Sequence, residues 1–547
     1  MVIPSKWDLE ADVVILGSGG SALTAAILAH DGGAKTVVIE KAPVVGGTTA
    51  MSGGMIWVPN NRHQRELEIL DSREEALTYM REFSAGMGDE ELQETYVDTA
   101  PEMVAYMEDH TPVRFETHEL FPDYQPELPG GKVGGRSLDS SLFSFKRLGD
   151  WSELVNASLT TNVAMTLGEL AREGGLPSRE VIEERVAQDM HAHGNALVGA
   201  LLLGCLEREI EISLGTRARE LVVVDGSVVG IRAEKDEADH FVSAGQGVVL
   251  AVGGFEHDER LVKAFLRGPM TGPGSNPENE GDGLSMAMAA GADLHLMSEA
   301  WWMPTIRIPG MEIRGKEIYQ LAAGGERAYP GSVMVNREGK RFVNEACNYS
   351  TLGRVFHEFD TNSTAFRPKN LPCWLVFDQR YRDGYPLIGH GQLVPEWVQA
   401  ADSLRELAEK TGIDPEGLDA TVERFNEHAS KGLDPDFHRG ESAYDIFMGD
   451  RDEEGAFATL GPLGSPPFYA VELHSGTIGT KGGPRTNSKA QVLDTNGNPI
   501  PGLYAAGNTM ASPTGLAYFG AGCTIGNGMT FGYIAGTNAA QEPVREL

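Results

Sequence analysis

The first forty residues constrain this chain more than any other stretch. Residues 11–16 (ADVVIL) form the β-branched run expected of a strand buried on both faces. The run ends in Gly17-Ser18-Gly19-Gly20-Ser21-Ala22, a G-x-G-x-x-A turn, and continues into the helical stretch LTAAILAHDGG. A second apolar run, 36–39, stops at Glu40, 23 positions after Gly17, with Lys41 next. Strand, glycine turn, helix, strand and acid within about 30 residues make a dinucleotide-binding unit. The glycines permit a tight turn and let backbone N–H groups approach a pyrophosphate at the helix N-terminus, where the dipole favours negative charge. Glu40 is placed to accept hydrogen bonds from an adenosine ribose.

The next segment selects FAD over NAD. Residues 46–61 read GGTTAMSGGMIWVPNN, a second glycine-rich loop that a nicotinamide-only domain does not need. An extended FAD lays its pyrophosphate and ribityl chain along backbone, and Gly46, Gly47, Thr48, Thr49, Ser52, Gly53 and Gly54 offer it. Far downstream, 501–508 (PGLYAAGN) is a strand-like run ending at Gly507 and Asn508, ready to return to the flavin. Gly253, after the apolar run 247–252, and Gly522 and Ile525 complete the expected FAD contacts. Non-covalent attachment is expected, since residues 41–62 contain no histidine and His63 lies beyond them.

Composition narrows the partners. The chain has 547 residues, 41% hydrophobic and 23% charged, which excludes a disordered or fibrous protein. Its 67 glycines exceed the usual share without any repeating period. A formal charge of −34 repels phosphate backbones and anionic lipid, so no nucleic-acid partner is expected. Cys205, Cys347, Cys373 and Cys523 form no CxxC pair, and the histidines show no metal spacing, His191 and His193 being read as different faces of a helix. No metal is predicted. There is no long apolar window, no basic leader and no twin arginine, so a cytoplasmic protein without a transmembrane segment is expected.

Periodicity predicts helix over 69–107, 165–190 and 195–211, and a hairpin of strands 220–224 and 229–233 around Asp225-Gly226. Residues 247–252 read as a strand rejoining the cofactor sheet. From 300 to about 476 the chain is aromatic-rich and broken by prolines, with no phosphate loop. The expected fold is therefore α/β: a Rossmann-like FAD-binding domain of the two-dinucleotide type, formed by 1–298 and 478–547, with an α+β substrate domain inserted at 299–477.

Seven further segments carry a resemblance: SGGMIWVPNN (52–61), FPDYQPELPGG (121–131), AVGGFEHDERL (251–261), AWWMPT (300–305), RFVNEACNY (341–349), WLVFDQRYRDGY (374–385) and GLYAAGNTMASPTGLAYFGAGCTIGNGMTFGY (502–533). Over nearly its whole length the chain resembles the flavoprotein 3-ketosteroid Δ1-dehydrogenases, within the wider fumarate-reductase-like group. That family removes two hydrogens from adjacent carbons of a cyclic ketone, a base taking a proton beside the carbonyl and the flavin accepting a hydride. The resemblance implies Tyr349 as the base, Tyr124 as the donor that makes it more acidic, and the Tyr518 hydroxyl with the Gly522 N–H as the pair that polarises the carbonyl. Two positions depart from the family. Phe519 stands in its Tyr-Pro-Gly sequence, adding a ring near the expected pocket, and Asn348 replaces the proline before the base, adding a hydrogen-bonding group. The chain also reads as longer between about 147 and 190.

Four functions stay open at this point. The first is Δ1-dehydrogenation of a hydrophobic 3-ketosteroid, with an electron acceptor the residues do not identify. The second is the same chemistry on a smaller cyclic ketone. The third, a fumarate-reductase-like reaction, needs cations to clamp carboxylates, yet residues 508–532 hold no Lys, Arg, His, Asp or Glu. The fourth, a flavin redox carrier with no substrate pocket, fits poorly with the large aromatic insert.

Overall fold

The computed structural model describes residues 4, 6–158, 164–171, 177–362, 364–386 and 394–545. Strand β1 (Leu9–Leu16), helix α1 (Gly20–Asp31) and strand β2 (Thr36–Ile39) open the fold. Val13 to Leu16 are fully buried, as a strand covered on both faces requires. β1 pairs in parallel with β2 on one side and with Ala238–Leu250 on the other. Beyond these, Glu211–Ser213 extends the β2 edge and Pro499–Ala505 pairs in parallel with Ala238–Leu250. The result is an eight-stranded, mainly parallel sheet of Rossmann type, with the hairpin Thr216–Val224 and Ser227–Lys235 attached through Ala238–Leu250. The hairpin turns at Asp225-Gly226, both at positive φ.

A second, seven-stranded sheet is organised on the long strand Phe468–Thr480. Ala300–Ile306 and Cys373–Asp378 flank it, and Ser332–Asn336 and Gln320–Leu321 lie outside them. Period-two alternation divides its core. Leu375 and Phe377 join one apolar cluster, while Val376 joins another beneath the helices Leu404–Thr411 and Pro415–Ala429. Gly272–Pro273 also pairs with Phe468–Thr480, so this sheet reaches upstream of residue 299.

Several helix expectations need correction. The run at 69–107 is two helices, Arg73–Ser84 and Glu90–His110, because Ala85 and Gly86 turn through positive φ and Asp89 caps the second helix. The run at 195–211 is the helix His193–Leu206, and Glu211 belongs to a strand. His191 lies in the two-residue strand Met190–His191, so the two histidines do not share a helix. At 165–190 the described residues form two helices, Leu167–Ala171 and Arg179–Ala187. Residues 159–163 and 172–176 of the extra segment lie outside the described residues. Among the described residues no helix is long and apolar enough to cross a membrane, and no three His, Cys, Asp or Glu side chains gather as metal ligands would.

The C-terminal helix Cys523–Ala539 packs along α1 through small residues. A Cβ on Gly532 would collide with the Ser21 carbonyl, and one on Gly536 with that of Ala25. This close contact brings the loop at 507–522 against the first glycine turn.

Candidate active site

A single cavity of about 810 Å³ runs from the first glycine turn to a group of four tyrosines. At its cofactor end, β1 stops at Gly17, whose φ of 97° leaves the turn no room for a side chain. A Cβ at Gly19 would meet only ordinary van der Waals contact, with Thr49 Oγ1 nearest at 3.5 Å. This is the cradle that a pyrophosphate fits. Ser18 donates to Glu40 Oε2 at 2.6 Å, and the Ala42 N–H donates to Oε1 at 2.7 Å. Burial raises the Glu40 carboxyl, and those two donors act against it. Lys41 is held by Glu280 at 3.1 Å and Asp282 at 2.8 Å.

The second glycine loop docks on the first. Thr49 Oγ1 accepts from the Gly20 N–H at 3.0 Å, and Thr48 Oγ1 accepts from the Asn276 N–H and from Asn279 Nδ2. The cavity wall includes Gly17, Gly19, Gly20, Ser21, Glu40, Lys41, Gly47, Thr48, Thr49, Ser52, Gly53, Gly54, Gly253, Gly507, Asn508, Gly522 and Ile525. Ala22 and Gly46 stand behind it, Ala22 fully buried in α1 and Gly46 heading the short helix Gly47–Met51.

At the other end, three chain segments bring tyrosines together. Tyr349 begins the helix Tyr349–Gly353, Tyr124 comes from the loop after Phe115–Thr117, and Tyr518 precedes the C-terminal helix. The Tyr124 hydroxyl donates to the Tyr349 hydroxyl at 2.8 Å. Ring centroids are 5.4 Å apart for Tyr124 and Tyr349, 5.0 Å for Tyr124 and Tyr518, and 5.5 Å for Tyr349 and Tyr518. Gly522 adopts φ 90°, and a Cβ there would lie 2.5 Å from the Ile56 nitrogen. Burial pushes the Tyr349 phenol well above its ordinary value, whereas the hydrogen bond from Tyr124 pulls it down. Burial also takes Tyr518 up to about 12, opposed by Thr524 and Tyr349.

Neither departure from the resembled family alters the wall directly. Phe519 is fully buried with its ring against Trp57, Tyr79 and Phe83, and its carbonyl accepts from the Tyr124 N–H at 3.0 Å. Asn348 makes no hydrogen bond to the Tyr349 hydroxyl. It caps the Tyr349–Gly353 helix by accepting from the Thr351 N–H, and its Nδ2 donates to the Tyr124 carbonyl.

Some wall residues were not singled out from the sequence. Tyr444 stands 5.1 Å from Tyr124, and Phe121, Leu167, Leu170, Met303, Leu321 and Met448 make the tyrosine end apolar. Asn276 and Asn279 contact the cofactor end from PGSNPENEGDG, whose turn composition marks a loop but not its destination.

The family model described as an FAD binding domain matches residues 12–525. The chain belongs to this FAD-binding family. It is an FAD-dependent oxidoreductase of the group that includes the 3-oxosteroid 1-dehydrogenases. It is 40% identical to the 4-oxocyclohexanecarboxylate 2-dehydrogenase of Sinomonas cyclohexanicum, over 97% of this chain and 92% of that protein. It is 38% identical to the 3-oxosteroid 1-dehydrogenase of Mycobacterium tuberculosis (strain ATCC 25618 / H37Rv), over 97% and 99%. Among solved structures, the 3-ketosteroid delta1-dehydrogenase of Sterolibacterium denitrificans, in complex with 1,4-androstadiene-3,17-dione, superposes with a TM-score of 0.89. That match has 34% identity and covers 97% of this chain and 99% of the other.

Proposed function

We propose that this flavoprotein introduces a C=C bond beside the carbonyl of a neutral, apolar cyclic ketone, with a 3-ketosteroid as its substrate. The observation that carries the reading is the 2.8 Å Tyr124–Tyr349 hydroxyl pair, next to Tyr518 and Gly522 in the cavity that also holds the dinucleotide loops. Tyr349 takes the proton from the carbon beside the carbonyl. Tyr124, donating to Tyr349, stabilises the phenolate that can act as base. The Tyr518 hydroxyl and the Gly522 N–H donate to the ketone oxygen, where enolate charge develops. FAD, when bound, supplies the acceptor for the hydride leaving the neighbouring carbon. It is held without a covalent bond, so acid precipitation should release all the flavin, and colour left in the pellet would contradict this.

The 40% identical relative named for a cyclohexane carboxylate favours a second reading, the same reaction on a small anionic ketone. A carboxylate substrate needs a cation to hold it. Among the described residues of the cavity wall, Lys41 is the sole lysine or arginine, and it is bound to Glu280 and Asp282 at the cofactor end. Glu326 adds an acidic group to the wall. The wall therefore favours the neutral substrate.

Solvent deuterium exchange at the ketone's α-carbon, measured without an electron acceptor, separates the tyrosine roles. Tyr349→Phe should bind ketone yet lose exchange by about 10²–10⁴-fold, as for a missing general base. Tyr518→Phe should slow exchange by about 10²-fold, the cost of one oxyanion donor. Wild-type exchange in Tyr349→Phe would remove Tyr349 as the base.

A further inference from the structure

The loop that delivers Tyr518 contains no charged side chain, but a buried lysine and a partly exposed arginine grip its backbone from behind. Lys481 is fully buried at the end of the long strand Phe468–Thr480. Its Nζ donates to Thr514 Oγ1 at 3.1 Å, to the Gly515 carbonyl at 3.1 Å and to the Ala517 carbonyl at 2.5 Å. An ammonium has three N–H donors, and these three acceptors use all of them. Arg354 takes the carbonyl between those of Gly515 and Ala517, donating from Nη2 to the Leu516 carbonyl at 2.5 Å. Oxygens of four consecutive residues, 514–517, thus converge on two cations directly before Tyr518.

The environment of Lys481 is unusual for a structural lysine. Among the described residues it has no carboxylate at ion-pair distance. The nearby Glu299 carboxylate is bound instead by Arg354 at 3.0 Å and Arg267 at 3.5 Å. The ammonium lies 4.1 Å from the centroid of the Trp301 ring, and that ring meets the Tyr518 ring at 4.9 Å. Trp301 Nε1 in turn donates to Asn508 Oδ1, at the cofactor end of the same loop. Lys481 therefore reaches Tyr518 by two routes, through the backbone it holds and through the indole between them. Burial and the neighbouring Arg354 lower the Lys481 ammonium to about 7, while the carbonyl dipoles and the π-face that replace water favour its charged form.

We propose that Lys481 is a positioning residue for the reaction, fixing the 514–517 backbone so that the Tyr518 hydroxyl is aimed at the ketone oxygen. The inference rests on the oxyanion role of Tyr518 proposed above. Without the ammonium, buried carbonyls lose their donors and the loop relaxes. Ketone binding should suffer little, because most of the apolar wall comes from other segments.

The test is a double-mutant cycle on the FAD-loaded enzyme, with single-turnover flavin reduction by a 3-ketosteroid as the rate and ketone-induced flavin perturbation as the binding readout. Lys481→Met keeps the length and removes the charge. It should lose at least tenfold in rate with less than about threefold in ketone affinity. In the Tyr518→Phe background the same substitution should cost less than about twofold, because its effect passes through the missing hydroxyl. Thr514→Val removes one acceptor with little change of shape. It should show a smaller loss, again absent in Tyr518→Phe, and it decides the matter if Lys481→Met fails to retain FAD. Full multiplicative losses in the Tyr518→Phe background, or wild-type rates in both single variants, would overturn the role of Lys481. A wild-type rate in Tyr518→Phe itself would overturn the oxyanion reading.

Discussion

A buried phenol makes a poor base unless something offsets the loss of water, and the tyrosine group supplies an offset. Desolvation drives Tyr349 towards its neutral form, and the hydrogen bond from Tyr124 pulls the other way. In the proposed reaction the Tyr349 phenolate is the base, so the rate should climb with pH until Tyr349 is ionised. Removing the Tyr124 hydroxyl withdraws a donor to a charged group, about 1.5–3 kcal/mol, or roughly one to two pH units. Tyr124→Phe should therefore move the pH–rate profile for α-carbon exchange to higher pH, with about 10- to 100-fold less activity near neutrality. An unmoved profile would detach Tyr124 from the base. At this scale the sequence was legible where a residue sat in a long specific segment. Tyr349 and Tyr518 could be named from NEACNY and AYFGAG. Tyr444 and Glu326 could not, because a side chain that reaches a cavity from a distant helix leaves no local pattern. Asn348 had a detectable change of chemistry, but its direction was hidden: the amide turned to cap a helix and hold Tyr124.

At the scale of elements, the site depends on how closely α1 meets the C-terminal helix. Alanine is a better helix former than glycine by up to about 1 kcal/mol. At Gly532 that gain meets a rigid obstacle, the Ser21 carbonyl in the first turn of α1. Overpacking of this kind costs about 1–3 kcal/mol. Gly532→Ala should therefore melt several degrees lower than wild type, and added FAD should recover less of the loss than it does for a substitution remote from α1. A thermal melt with and without added FAD measures both, and unchanged melting would contradict the contact. β1, α1 and β2 were readable because apolar runs, glycines and the terminal acid agree locally. The supposed helix at 69–107 was not, since its apolar spacing runs through the turn at Ala85 and only backbone geometry separates the two halves.

At the scale of the molecule, the chain uses two sheets to place a largely apolar, tyrosine-lined chamber against a dinucleotide groove. The contributing residues are hundreds of positions apart, from Gly17 to Tyr518, so their meeting in one cavity lay beyond any sequence window. The chain's formal charge of −34 contrasts with the wall at the tyrosine end, which is mostly apolar, with Glu326 as an acidic group and no arginine or lysine among its described residues. That contrast carries the central claim about substrate. The most direct measurement is anaerobic titration of the oxidised enzyme with 3-ketosteroids, simple neutral cyclic ketones and 4-oxocyclohexanecarboxylate, following flavin absorbance. Bleaching by the neutral 3-ketosteroids at lower concentration than by the carboxylate, with no reoxidation of the reduced enzyme by fumarate, is the predicted result. Preferential bleaching by the carboxylate, or rapid reoxidation by fumarate, would contradict it.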